Sequence, residues 1–167
     1  RIFYKQLSFR SQLEALVHDP SQQLCLQFDE QFNDYNGDGI TGVSALGNVH
    51  SLSFLKCSGV TDVRALGRLH TLTVYNCPDV TDVSDLGGLH YLSVSGCPGI
   101  TDVSALGGVH SLKLDNCPGI TDVSALGSVD SLTLDKCAGI TDMSALGGVH
   151  TLSLGECPGI TDVGALG

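Results

Sequence analysis

Residues 109–128 read V-H-S-L-K-L-D-N-C-P-G-I-T-D-V-S-A-L-G-S, and residues 129–148 read V-D-S-L-T-L-D-K-C-A-G-I-T-D-M-S-A-L-G-G. The second stretch is the first with a few substitutions, so the chain is built on a unit of twenty residues, and every local motif has to be read inside that period. Copies begin at Val49, Leu69, Leu89, Val109, Val129 and Val149. Counting back one more period places Ile40, Thr41, Val43, Leu46 and Gly47 on the template of Val60, Thr61, Val63, Leu66 and Gly67.

Within one unit, V-x-x-L-x-L alternates apolar and polar residues with period two, which predicts a short strand. Leu112 and Leu114 point to one side of it, and Ser111, Lys113 and Asp115 to the other. C-P-G-I then turns the chain through proline and glycine, and Ile120, Val123 and Leu126 return apolar side chains to the same interior. In D-V-S-A-L-G, Asp122 is expected to N-cap a single helical or 3-10 turn, with Gly127 as its C′ residue. Each unit is thus one coil that exposes an apolar side until the next coil covers it. Stacking pairs the strands in parallel at about 4.8 Å and gives an α/β solenoid with one parallel sheet.

The remaining composition fits this reading. The chain has 167 residues, 42% of them apolar, enough for one domain with a core, and no run of eighteen apolar residues that would span a membrane. It begins at Arg1 without a methionine and stops at Gly167 inside a unit, so both ends are expected to continue in a longer protein. Formal net charge is −10, yet Asp62, Asp82, Asp102, Asp122, Asp142 and Asp162 occupy one repeated turn position and are expected to serve the scaffold. Only eight Lys and Arg argue against binding nucleic-acid phosphates.

L-x-x-L-x-L-x-x-C-x-x-I-T-D resembles the cysteine-containing class of leucine-rich repeats, and the likeness covers residues 49–167. Twenty residues per coil is short for that class, and the D-V-S-A-L-G half looks more like short bacterial surface repeats. The tandem uniformity resembles leucine-rich tracts of large DNA viruses and protists. The resemblance implies a right-handed solenoid with a concave parallel sheet that binds other macromolecules, and short turns or 3-10 segments on the convex side.

Two ligand motifs overlap at N-D-Y-N-G-D-G-I-T-G (33–42). Gly37, Gly39 and Gly42 fit a dinucleotide fingerprint, but no long helix follows, because Gly47 closes the segment after V-S-A-L. Asp34, Asn36 and Asp38 fit the opening of a calcium loop whose twelfth position is Ala45 instead of a carboxylate. Cys57, Cys77, Cys97, Cys117, Cys137 and Cys157 recur with His50, His70, His90, His110 and His150. Histidine and cysteine of one coil lie roughly 20 Å apart along extended chain, too far to share a metal. The thiols are expected to be reduced, buried, weak donors to backbone carbonyls, which suits an intracellular site or the inside of a viral particle. The histidines are expected to form a column at the sheet edge, interrupted by Asp130. No residue combination is unique to one coil, so neither a catalytic site nor a bound metal or cofactor is expected.

Function is therefore expected where the copies differ, on the outward side of the strands. The early coils carry Leu55, Tyr75 and Tyr91 there, and the later coils Lys113, Asp115, Asp135 and Lys136. Tyr75 and Tyr91, in adjacent coils, are the expected aromatic anchors for a protein partner. Residues 1–48 are expected to cap the stack, with a helix begun by the capping box Ser11 to Glu14, a strand at L-C-L-Q-F (24–28) and a degenerate first repeat. Residues 49–167 are read as six tandem repeats, the last incomplete. The expected role is a non-enzymatic protein-binding or structural scaffold, as part of a larger assembly, with no nucleic acid, membrane or small-molecule substrate. Two other readings are the substrate-recognition arm of an F-box-type ubiquitin ligase and a cation-binding surface protein using the Asp row.

Overall fold

The computed structural model describes the backbone of residues 25–28, and residues 43 and 46–164. The expected capping helix and the Asp34, Asn36 and Asp38 stretch lie outside the described residues. The strands are β1 (Cys25–Phe28), β2 (Ser51–Leu55), β3 (Thr71–Tyr75), β4 (Tyr91–Ser95), β5 (Ser111–Asp115), β6 (Ser131–Asp135) and β7 (Thr151–Leu154). They form one parallel sheet in chain order. Ser51 pairs with Thr71, Thr71 with Tyr91, and Tyr91 with Ser111, so every strand residue lies beside its equivalent in the next coil.

Alternation sets the two faces of the sheet. In β5, Leu112 and Leu114 are buried while Ser111, Lys113 and Asp115 are partly exposed. The same inward positions in the other coils form continuous columns, such as Leu52, Leu72, Leu92, Leu112 and Leu132, all within 1% of fully buried. Val123 and Leu126 from the far side of the coil complete the core, as do Ile120 and Cys117 from the turn. One core therefore runs the length of the described stack, and each described strand pairs with the strands of the adjacent coils.

The return path is short. Cys117 to Ile120 close a turn in which the Ile120 amide donates to the Cys117 carbonyl at 3.3 Å. A 3-10 turn follows at Arg64–Leu66, Ser104–Gly108, Ser124–Ser128 and Ser144–Gly148. In the coil containing Asp85 the equivalent bond, Leu86 amide to Val83 carbonyl at 3.0 Å, closes a single turn instead.

Two sequence expectations are corrected here. Val123, not Asp122, holds the cap position, and its side chain makes no capping bond. Asp122 acts one residue earlier: its Oδ1 accepts the Ser124 amide at 2.8 Å, closing an Asx turn that feeds the 3-10 segment. Gly127 is not a left-handed C′ residue either, since it lies inside the 3-10 turn. A Cβ there would run into the carbonyl oxygen of Ala145 in the next coil. The glycine column is set by how closely two coils approach.

Positive φ is found instead directly after the strands, at Lys56, Asn76, Gly96, Asn116 and Lys136. At Lys56, Asn76, Gly96 and Asn116 this left-handed step turns the amide toward the next coil and adds a rung to the ladder. The Asn76 amide donates to Ser95 at 2.7 Å and the Asn116 amide to Asp135 at 2.8 Å. Asn and Gly tolerate that conformation best, which explains three of these residues.

Candidate functional site: the open face of the sheet

The side chains that differ between coils stand on the open face in register. The row through the last strand position is Leu55, Tyr75, Ser95, Asp115 and Asp135, each paired laterally with the next. It passes from apolar through a small hydroxyl to acidic. Tyr75 is 42% exposed, which makes it the most open aromatic among the described residues. Ser95 is buried, and its Oγ donates to Asp115 Oδ2 at 3.0 Å across the coil boundary.

Charge on the later coils is already partly paired. Asp135 accepts the Glu156 amide at 3.0 Å through Oδ1 and Lys136 Nζ at 3.3 Å through Oδ2. These contacts, with the Glu156 amide first and Lys136 and Lys113 adding, hold the Asp135 carboxyl below its usual range. Asp135 in turn raises Lys136. Lys136 therefore lies beside the row, on the left-handed residue that follows it.

Tyr75 and Tyr91 do not form one patch. They belong to adjacent coils, but Tyr75 pairs with Ser95 at one end of the strands and Tyr91 with Thr71 at the other. Four strand residues and one lateral step separate them by about 14 Å. Tyr75 is instead beside Leu55, and these two form the apolar end of the row.

Among the described side chains Cys57, Cys77, Cys97, Cys117 and Cys137 are buried thiols and Cys157 is a partly exposed one. From Cys57 to Cys137 each Sγ reaches back to the carbonyl two residues earlier, at 3.3 Å for Cys117 to Asp115 and 3.5 Å for Cys97 to Ser95, whereas Cys157 Sγ donates to the Leu134 carbonyl of the preceding coil at 3.7 Å. Burial pushes Cys97 up to about 12 and Cys137 up to about 11. Cys77 goes the other way, downward, with its contact to the neighbouring Cys57 thiol as the leading cause. Fully buried, that sulfur is out of reach of reagents. Among these six thiols, an alkylating agent at pH 8 is thus expected to modify Cys157 first, and Cys97, Cys117 and Cys137 only after denaturant is added. Mass-spectrometric mapping of the labelled peptides checks this order.

On the far side of the coils the Asp row is structural. Asp82, Asp102, Asp122 and Asp142 each accept the amide two residues on at 2.8–2.9 Å. Those amides hold the carboxyls below the ordinary 3.8, against a smaller opposing push from neighbouring carboxylates such as Asp142 on Asp122. Asp62 falls furthest, to about 2, first through the side chain of Arg64. Groups depressed in the folded state bind fewer protons there than in the unfolded chain. Their contribution is complete above the unfolded value of 3.8 and is lost as pH falls through it toward 2. The urea midpoint is therefore expected to hold from pH 7 to 5 and to drop between pH 4.5 and 2.5. In Asp102→Asn/Asp122→Asn, where the amide oxygen keeps the turn, that drop should be smaller.

A shallow hollow on this side is lined by Asn48, Arg64, Arg68 and Asp85, with Arg64 already paired to Asp62 at 2.8 Å. Among the described residues no three His, Cys, Asp or Glu side chains converge as a metal centre, and no helix is long and apolar enough to cross a membrane.

No protein-family model matches the sequence, and no curated protein matches it. Solved structures match by shape. An internalin, InlF, from Listeria monocytogenes superposes with a TM-score of 0.59 over 96% of this chain at 19% identity. The chain spans 52% of that internalin's length. The leucine-rich repeat domain of the type III effector XopL superposes with a TM-score of 0.52 over 92% of this chain and 67% of its own, at 16% identity. Identities this low speak to the fold alone. With the parallel sheet, the leucine columns and the regular 3-10 returns, they make this chain, by fold, a leucine-rich-repeat solenoid.

Proposed function

We propose that the protein is a non-enzymatic scaffold that binds a protein partner across the open, concave face of its sheet, as one component of a larger assembly. The carrying observation is the row Leu55, Tyr75, Ser95, Asp115, Asp135, where the copies differ on a frame that is otherwise repeated. Leu55 and Tyr75 form the apolar anchor. Lys113, Asp115, Asp135 and Lys136 form a polar end, and Tyr91 stands apart as a secondary contact. Interface energy concentrates on exposed aromatic residues, which supports Tyr75 as its centre. The recurrence of the same Asp, Ser, His and Cys types from coil to coil is what supports reading the chain as a scaffold. In this reading residues 1–48 cap the stack and residues 49–167 supply six repeats.

Reduced thiols support a location inside a cell or viral particle. A role as the arm of a ubiquitin ligase is a special case of partner binding and has no separate support among the described residues. The cation-binding surface reading is weakened because one oxygen of each of Asp82, Asp102, Asp122 and Asp142 is taken by a backbone amide.

The test is affinity capture from the native source with wild type and Leu55→Ala/Tyr75→Ala, each checked for fold by circular dichroism. A partner bound by the wild type should be lost from the variant, with at least tenfold weaker binding when its affinity is then measured. Equal capture by both proteins would move binding off this face.

A further inference from the structure

The histidine column is the most ordered feature that partner binding leaves unexplained. Its origin is the backbone register: the Tyr91 amide donates to the His70 carbonyl at 3.0 Å and the Ser111 amide to the His90 carbonyl at 2.9 Å. The residue before each strand is therefore locked beside its equivalent one coil away. The imidazoles follow. Ring centroids are 4.6 Å apart for His50 and His70, 4.6 Å for His70 and His90, and 4.5 Å for His90 and His110. His70, His90 and His110 are exposed and His50 is partly exposed. At the next coil Asp130 replaces histidine, with Oδ2 3.8 Å from His110 Nε2.

We propose that this row is a binding site for divalent transition-metal ions of the zinc, nickel and copper class, each ion bridging two imidazoles from adjacent coils. Imidazole nitrogen is a preferred ligand of these ions and a poor one for calcium or magnesium. With metal–nitrogen bonds of about 2.0–2.1 Å, a tetrahedral ion holds two nitrogens about 3.3 Å apart. Rings whose centroids are 4.5–4.6 Å apart reach that arrangement by turning out of their stack so that one in-plane nitrogen of each converges on the ion, a side-chain rotation open to exposed residues on a fixed backbone. His70 and His90 are already inclined by 36°. The protein supplies two ligands per ion and water the rest. At the C-terminal end Asp130 stands next to His110 and can supply a carboxylate. This inference is independent of the partner-binding proposal, because the column lies before the strands and not in the Leu55 to Asp135 row.

The test is calorimetric titration of the whole chain with nickel or zinc chloride, with thermal melting read in parallel. Wild type is expected to bind with a micromolar Kd and to show a rise in Tm that a chelator reverses. His70→Gln/His90→Gln breaks the row in the middle and should lose at least tenfold in affinity. His150→Gln, at a histidine separated from the row by Asp130, should leave binding unchanged. Asp130→His joins the row to His150 and should raise the stoichiometry, a gain that a folding defect cannot produce. The proposal is overturned if the double variant binds as wild type does, if excess calcium displaces the metal and so points to the Asp row, or if wild type binds only at millimolar concentration.

Discussion

Gly127→Ala is expected to lower stability by about 3 kcal/mol, a large effect for the addition of one exposed-side methyl group. The new Cβ would meet the carbonyl oxygen of Ala145, and that oxygen belongs to the backbone of the next coil, which cannot rotate away. Relief requires the two coils to separate, which opens the core on both sides of the contact. Gly47, Gly67, Gly87, Gly107, Gly147 and Gly167 fill the same position, so no copy in the chain carries a side chain there. The neighbouring position provides the contrast. A Cβ on Gly108 would also come near a carbonyl, that of Gly87, but Arg68 and Ser128 occupy the equivalent site, and Ser128 Oγ donates to the Gly107 carbonyl at 2.9 Å. Gly108→Ser is therefore expected to cost clearly less than Gly127→Ala. Urea unfolding followed by circular dichroism distinguishes the two variants, and equal midpoints for them would contradict the close coil contact.

Leu112→Ala should be comparably damaging. Leu112 is 1% exposed and sits between Leu92 and Leu132 in the sheet register, so truncation leaves a cavity in a column packed from both sides. Buried leucine truncations cost about 2–5 kcal/mol. In a solenoid the loss falls on two interfaces at once, because each coil is stabilised by its neighbours. Amide exchange in β4 and β6 is accordingly expected to accelerate together with that in β5. Ser111→Ala, one residue away on the open face, should change stability by less than about 0.5 kcal/mol. If Leu112→Ala accelerated exchange in β5 alone, the coils would not be energetically coupled.

Much of this architecture is legible in the letters because its determinants are local and repeated. The alternation of Leu112 and Leu114 with Lys113 gives the strand and its inward face, and the period of twenty gives the lateral register without further information. What the letters hide are contacts between coils. Asp122 followed by V-S-A-L looks like a helix cap, but a 3-10 segment begins one residue later than a cap at Asp122 would start it, and the carboxylate closes an Asx turn instead. Gly127 looks like a chain-reversal glycine, because the carbonyl that excludes its Cβ is eighteen residues away, at Ala145. Tyr75 and Tyr91 look like neighbours because their coils are adjacent, yet parallel pairing matches like positions and sends the two to opposite strand ends. The histidine column was visible as a column, whereas stacking of its rings depends on backbone register that only the folded sheet fixes.

The most direct measurement is the distance between nitroxide labels placed on Ser53→Cys and Ser153→Cys, read by pulsed electron spin resonance. Both positions belong to one lateral row of the open face, running through Thr73, Ser93, Lys113 and Thr133. Selective labelling is feasible because the thiols Cys57 to Cys137 are buried, and Cys25→Ala/Cys157→Ala removes the other two. Five lateral steps of the sheet predict a single narrow distribution near 24 Å, widened by the label linkers. A broad distribution, or a mean beyond about 35 Å, would contradict a continuous parallel stack with its variable side chains aligned on one face.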